Sequence, residues 1–169
     1  CFADNIADKF SYFKFQNKVN PLGMMFHPLA ILDLLKRAQN RIDYNEKDIF
    51  FDNGCWQSYS AHSSLNNVSK KKIISDLNSA VLLTRMQLMA ASHVVLTFGT
   101  AWVYRSIKSN TIVANCHKQP QKKFQKSLLS INQLRECFEA IISILKSYNP
   151  DVTIIFTISP VRHLKDGFV

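Results

Sequence analysis

The chain has 169 residues, one domain's worth, of which 47% are hydrophobic and 20% charged, with a formal net charge of +9. This balance suits a globular protein with a real core, and no apolar run approaches the ~20 residues needed to cross a bilayer, so a membrane-spanning role is excluded at this level. The excess of cations favours anionic partners, with nucleic acid the first to test. The start at Cys1 without Met and the stop at Val169, just after Asp166-Gly167, read as truncation at both ends, so the lack of a targeting signal carries no information. Cys1, Cys55, Cys116 and Cys137 form no CxxC pair and no metal-ligand spacing; they read as free thiols in a reducing compartment, the cytoplasm being favoured.

Residues 1–23 read as mostly irregular. Pro28 opens a helix to about Asn40, with Leu29, Leu32 and Leu35 at helical spacing. The segment DIFFDNGCWQSY reads as a hairpin around Asp52-Asn53-Gly54, because Asn-Gly adopts the left-handed geometry of tight turns. Ser69 caps a second helix to about Ala91, with Ile73, Ile74, Leu77, Val81 and Leu88 as its stripe. HVVLTF is a continuous apolar run, the pattern of a strand covered on both faces. WVYRSI and TIVANC form a second hairpin turning at Lys108-Ser109-Asn110, and HKQPQKKFQK is a polar, basic link. Ser130 caps a long helix to Tyr148, which Asn149-Pro150 ends. Val152 to Ile158 is a second buried strand. Helix, buried strand, long helix, buried strand is the order of an α/β protein: a mainly parallel sheet with helices on both faces, flavodoxin-like, with hairpin insertions.

In such sheets ligands bind outside the carboxyl ends of the strands. Gly99-Thr100-Ala101-Trp102 follows the first buried strand, and its backbone N–H groups and the Thr100 hydroxyl are candidates for an anion or oxyanion contact; the plainer reading is a strand-to-loop turn. Ser159-Pro160-Val161-Arg162-His163 follows the second strand in the equivalent place. Arg162 suits an anionic group and His163 an acid or base, against the alternative of two solvated cations after a turn at Pro160. Asn115 is a candidate oxyanion donor. A Cys116–His117 nucleophile pair is disfavoured, since neighbours on a strand point to opposite faces. His62, His117 and His163 offer no close metal-ligand spacing, so no metal or other cofactor is expected. His27 and His93 read as structural. Lys70-Lys71-Lys72 and the stretch Lys118 to Lys126 read as solvated basic faces, and with only Phe124 interleaved the latter lacks a base-stacking platform. No membrane partner is expected, and nucleic acid is the less favoured ligand.

Several blocks then match in order. Cys1-Phe2-Ala3-Asp4 is similar to the end of a Gly-Ser-Cys-Phe-Ala signature. It is followed by Asn20-Pro21-Leu22-Gly23, the Trp56…His62-Ser63 segment, TFGTAWVY, VANCHK and SPVRHLKDG. Together they resemble the GSCFA family over nearly the whole chain, as one unit spanning 1–169. That family resembles the SGNH (GDSL-like) hydrolases, which implies a three-layer α/β/α fold and ester hydrolysis or acyl transfer, with a small-molecule or carbohydrate ester as substrate. The resemblance puts the nucleophilic serine immediately before Cys1, whose backbone N–H becomes an oxyanion donor. Gly23 resembles a second donor. Gly99 and Thr100 align with a block that reads Gly-x-Asn-Asp in SGNH enzymes; here Ala101-Trp102 replace Asn-Asp, which leaves Asn115 as the substitute. Pro160 stands where an Asp-x-x-His pair would need its Asp, so His163 is not assigned to a triad. Asn20, Trp56, His62, Trp102, His117, Arg162 and His163 are expected to line the substrate pocket. The alternatives are a non-catalytic α/β module holding an anionic or sugar ligand, and a basic nucleic-acid binder.

Overall fold

The computed structural model describes residues 2–159. The expectations that rest on Cys1, Arg162 and His163 lie outside them. The described residues form a mixed α/β fold with four α-helices and three small sheets. Three helices follow the apolar spacing closely. Helix α2 (Pro28–Asn40) starts with its proline in the first turn and buries Leu32, Leu34, Leu35 and Ala38. Helix α3 (Lys70–Ala90) is capped by the Ser69 hydroxyl, and helix α4 (Ile131–Tyr148) by a reciprocal Ser130–Gln133 capping box. No helix among the described residues is long and apolar enough to cross a membrane.

Helix α1 (Phe2–Tyr12) corrects the expectation of an irregular start. Ala7 alone is buried, Ile6 is half-buried, and Phe2, Phe10 and Tyr12 are exposed. Large apolar residues on the wrong face erase the pattern that announces an amphipathic helix.

Strands β1 (Phe50–Asp52) and β2 (Cys55–Gln57) form the expected hairpin. Asn53 (φ 48°) and Gly54 (φ 78°) both take left-handed geometry at its turn. Strand β3 (His93–Phe98) lies parallel to β7 (Thr153–Ile158), in register from His93↔Thr153 to Phe98↔Ile158. One face of this pair carries Val94, Leu96, Phe98 and Ile154 onto α2 and α4, in a core with Leu35, Ile141, Leu145 and Val152. The opposite face carries Val95 toward α1 and joins Thr97 to Thr157 by a hydroxyl–hydroxyl bond of 2.8 Å. Full burial of both strands is not reached among the described residues, since Ile155 and Phe156 are each 41% exposed and Ile158 is 85% exposed.

The crossover between β3 and β7 holds the second correction. Strand β4 (Trp102–Ser106) pairs with β5 (Ile112–Val113) on one side and β6 (Phe124–Leu128) on the other, both antiparallel. Part of the supposed polar link is therefore the edge strand β6. Only Phe124 of it is buried, so its sequence shows no alternation. Strand β5 is short because the N–H groups of Ala114 and Asn115 leave the ladder for the Tyr59 carbonyl.

A second core lies between α2, α3 and the β1–β2 hairpin, around Leu22, Tyr44, Ile73 and Leu77. Burial raises the Tyr44 hydroxyl to a pKa of about 12, and the Arg37 guanidinium lies 4.0 Å from its ring centre. Ile141 is completely buried in the sheet-facing core. Ile141→Ala is expected to lower the unfolding free energy by about 3 kcal/mol, the usual cost of removing a large core side chain, read from the urea midpoint at unchanged slope.

Candidate functional site

The parallel pairing of β3 and β7 brings their carboxyl ends together, and the Ser159 N–H donates to the Phe98 carbonyl at 2.8 Å just beyond them. The chain after β3 is held by one acceptor. The N–H groups of Gly99 (2.9 Å) and Thr100 (3.2 Å) both donate to the Phe26 carbonyl. The Thr100 Oγ1 accepts from the Trp102 N–H at 3.0 Å, which starts β4. The two backbone donors expected to face an anion are thus engaged inside the chain. Close approach does not demand glycine at 99 either, because a Cβ there would meet Phe26 atoms no nearer than 3.5 Å, an ordinary contact.

Phe26 belongs to a segment that also carries Asn20 and Gly23. Asn20 (φ 42°) and Gly23 (φ 76°) bracket a tight turn closed by the Gly23 N–H donating to the Asn20 carbonyl at 2.8 Å. The N–H expected of Gly23 as an oxyanion donor is therefore also used internally. What the position does require is glycine: its φ is left-handed, and a Cβ would overlap His62 Cβ. The Asn20 amide donates to Asp4 Oδ1 at 2.6 Å, tying this turn to the first turn of α1. Asp4 was not singled out in the sequence; an acidic residue just after the Cys-Phe-Ala block was the available signal.

His62 completes this wall. Its N–H donates to the Leu22 carbonyl at 2.9 Å, and its Nδ1 accepts from the Ser64 N–H at 3.2 Å. That bond places the ring proton of neutral His62 on Nε2, for which no partner is found among the described residues. Asn115 and His117 hold the Ser58–Tyr59 segment that leads to His62. The His117 Nε2–H donates to the Ser58 carbonyl at 2.7 Å, and the Asn115 side-chain oxygen accepts from the His117 N–H at 2.8 Å. Burial raises the Cys116 thiol to a pKa of about 11, so it is no thiolate nucleophile.

Trp56 stands apart from this wall, whereas Trp102 follows directly from it through Thr100. Trp56 packs on the core under α3, with Lys70 5.2 Å from its ring centre. Trp102 lies on β4 beneath Lys126, at 4.3 Å. A large cavity between α1 and the start of β3 sits at the opposite end of the strand, lined by Ile6, His93 and Val95. Among the described residues no three His, Cys, Asp or Glu side chains are placed to hold a metal ion.

His27 reads as structural and is so placed. Its Nδ1 caps α2 by accepting from Ala30 N–H at 3.2 Å, while its Nε2–H donates to the Val113 carbonyl at 3.0 Å. Desolvation lowers the pKa of both His27 and His117 below the ordinary 6.5, against the opposing pull of their carbonyl bonds. The unfolded chain then binds more protons than the folded one just below pH 6.5. The histidine contribution is complete above that value and lost as the pH falls through the folded pKa values. Urea midpoints are expected to drop on acidification through this window, with a shallower drop in His27→Gln and His117→Gln. Gly23→Ala is expected to cost about 2 kcal/mol or more through backbone strain and overlap, and to shift the His62 ring resonances in NMR spectra.

Comparison with known proteins gives one result: the model of the GSCFA family matches residues 1–169. No curated protein and no solved structure matches. With a family match that runs the length of the sequence, the chain belongs to the GSCFA family.

Proposed function

We propose that the chain is the larger part of an SGNH-like acyl-ester hydrolase, a three-layer α/β/α unit over 1–169 with its site at the carboxyl ends of β3 and β7. The observation that carries this reading is the single wall joining the first turn of α1, the Asn20–Gly23 turn, His62 and the two strand ends through the Phe26 carbonyl. The serine that the family signature puts before Cys1 would open onto this wall.

In the reaction, the serine oxygen bonds to the ester carbonyl carbon and the carbonyl oxygen becomes an oxyanion. The alcohol leaves with a proton, and water then releases the acyl group as a carboxylate. No described residue is assigned as the base that takes the serine proton. Since the N–H groups of Gly23, Gly99 and Thr100 are engaged, the oxyanion falls to the Cys1 N–H and to His62 Nε2–H, with the Asn115 amide in reserve. Gly23, Gly99 and Thr100 act by positioning. Arg162, His163, Asn20, Trp102 and His117 would line the substrate pocket beyond this donor set, and Trp56 its outer rim.

A second reading, an α/β module that holds an anionic or sugar ligand without turning it over, is favoured by those same three engaged donors. The test compares the present chain with one extended on both sides in its natural coding sequence, using p-nitrophenyl acetate. The extended chain is expected to turn over the ester and to lose activity on replacing the serine before Cys1 by Ala. His62→Gln should lower its kcat about a hundredfold, as for loss of one oxyanion donor. The present chain is expected to be inactive. A residue other than serine at that position, or turnover by the present chain that Ser159→Ala abolishes, would sink the hydrolase reading.

A further inference from the structure

From 77 to 135 the sequence carries no Asp or Glu. This stretch includes the whole β5-β4-β6 sheet and its turns, which hold Arg105, Lys108, Lys118, Lys122, Lys123 and Lys126. Elsewhere some cations have carboxylate partners: Arg37 with Asp33 and Asp48, Lys70 with Glu46, Lys72 with Asp76, Arg135 with Glu139. Arg105, Lys108, Lys118, Lys122 and Lys123 form no ion pair among the described residues. The fold also gathers Arg105, Lys108, Lys122 and Lys123, with the Lys123 Nζ donating to Gln119 Oε1 at 2.6 Å. The Ile107 N–H donates to the Lys123 carbonyl at 3.0 Å, setting the Lys108 turn against Lys122 and Lys123, and Arg105 reaches the Asn110 carbonyl of the same turn at 2.7 Å. At the other end of β4, next to Gly99 and Thr100, Lys126 lies 4.3 Å from the Trp102 ring centre and 6.0 Å from that of Tyr104. Four steps of strand, about 14 Å, separate the two ends. The result is a strip that begins with an aromatic pair at the strand-end wall and ends in exposed cations.

We infer that this sheet is the docking surface for an acidic polysaccharide, the polymer whose acyl esters the strand-end site would cleave. The inference rests on the hydrolase reading for the choice of polymer. A carboxylate-bearing glycan matches the unpaired cations in charge and carries hydroxyl groups that bear acyl esters. A nucleic acid fits less well. Its backbone holds phosphodiesters rather than carboxylic esters, and successive bases need open aromatic faces, whereas both rings here are half-buried beside Lys126.

The probe is polygalacturonate without ester groups, titrated against the present chain by calorimetry, with neutral dextran and polyuridylate as comparisons. Binding to polygalacturonate alone is expected, weakening as salt is raised. The exposed double change Lys122→Glu with Lys123→Glu should weaken it roughly tenfold or more, and Lys108→Glu less, with the circular dichroism unchanged. No binding at low salt, equal binding by both variants, or tighter binding of polyuridylate would overturn the inference. The two readings separate in the extended chain. Binding of polygalacturonate without ester turnover leaves the docking surface standing and removes the hydrolase. Turnover of a neutral acetylated oligosaccharide with no binding of polygalacturonate does the reverse.

Discussion

Much of this molecule hangs on eight residues that are neither helix nor strand. Between Asn20 and His27 the backbone turns through left-handed geometry at Asn20 and Gly23, and four residues along it have distant partners. Asn20 holds Asp4 of α1, Leu22 holds His62, Phe26 holds Gly99 and Thr100, and His27 caps α2 while donating to Val113. Leu22 and His27 are almost fully buried. Unpaired polar groups at such depth cost 1–3 kcal/mol each, roughly, so the pieces this segment joins are coupled in stability as well as in space.

That coupling explains the state of the strand-end site. A carbonyl that accepts two N–H groups is a strong local anchor, and Phe26 uses it to fix where the chain leaves β3. The same bonds remove two donors from any ligand. The wall is therefore rigid in its backbone, and its free chemistry is confined to side chains, chiefly His62 with its proton directed to Nε2. Rigid backbone support beneath a few exposed polar atoms is the arrangement that preorganised sites use.

Charge is divided as sharply as structure. The helices α2 and α3 spend their carboxylates on neighbouring cations, while the small antiparallel sheet has none to spend. Exposed ion pairs contribute little to stability, so leaving Arg105, Lys108, Lys118, Lys122 and Lys123 without carboxylate partners among the described residues costs the fold little. It does leave a positive field beside the strand ends, where it bears on what approaches them.

Local pattern alone settled the three capped helices, the Asn53-Gly54 hairpin and the two apolar strands, because each is specified by neighbours within a few residues: Pro28, Ser69 and Ser130 at the starts, 3.6-residue stripes along Leu32, Leu77 and Ile141, and unbroken runs at 94–98 and 152–158. The cluster of ordered family blocks was legible too, and it named the family. Helix α1 and edge strand β6 were not legible, since exposed Phe10 and Tyr12 blur one face and a single inward Phe124 shows no period. Gly99 looked like a site glycine for its place after β3, yet only the fold shows that the Phe26 carbonyl takes its N–H. Gly23 is constrained by His62, 39 positions away in sequence, and His27 by Val113, 86 away. Sequence by itself determined what most segments would become, wherever a cap, a turn or an apolar period lay within a few residues. Which backbone donors remain for a ligand was decided by tertiary structure alone, because a hydrogen bond between distant residues leaves no periodic trace in either of them.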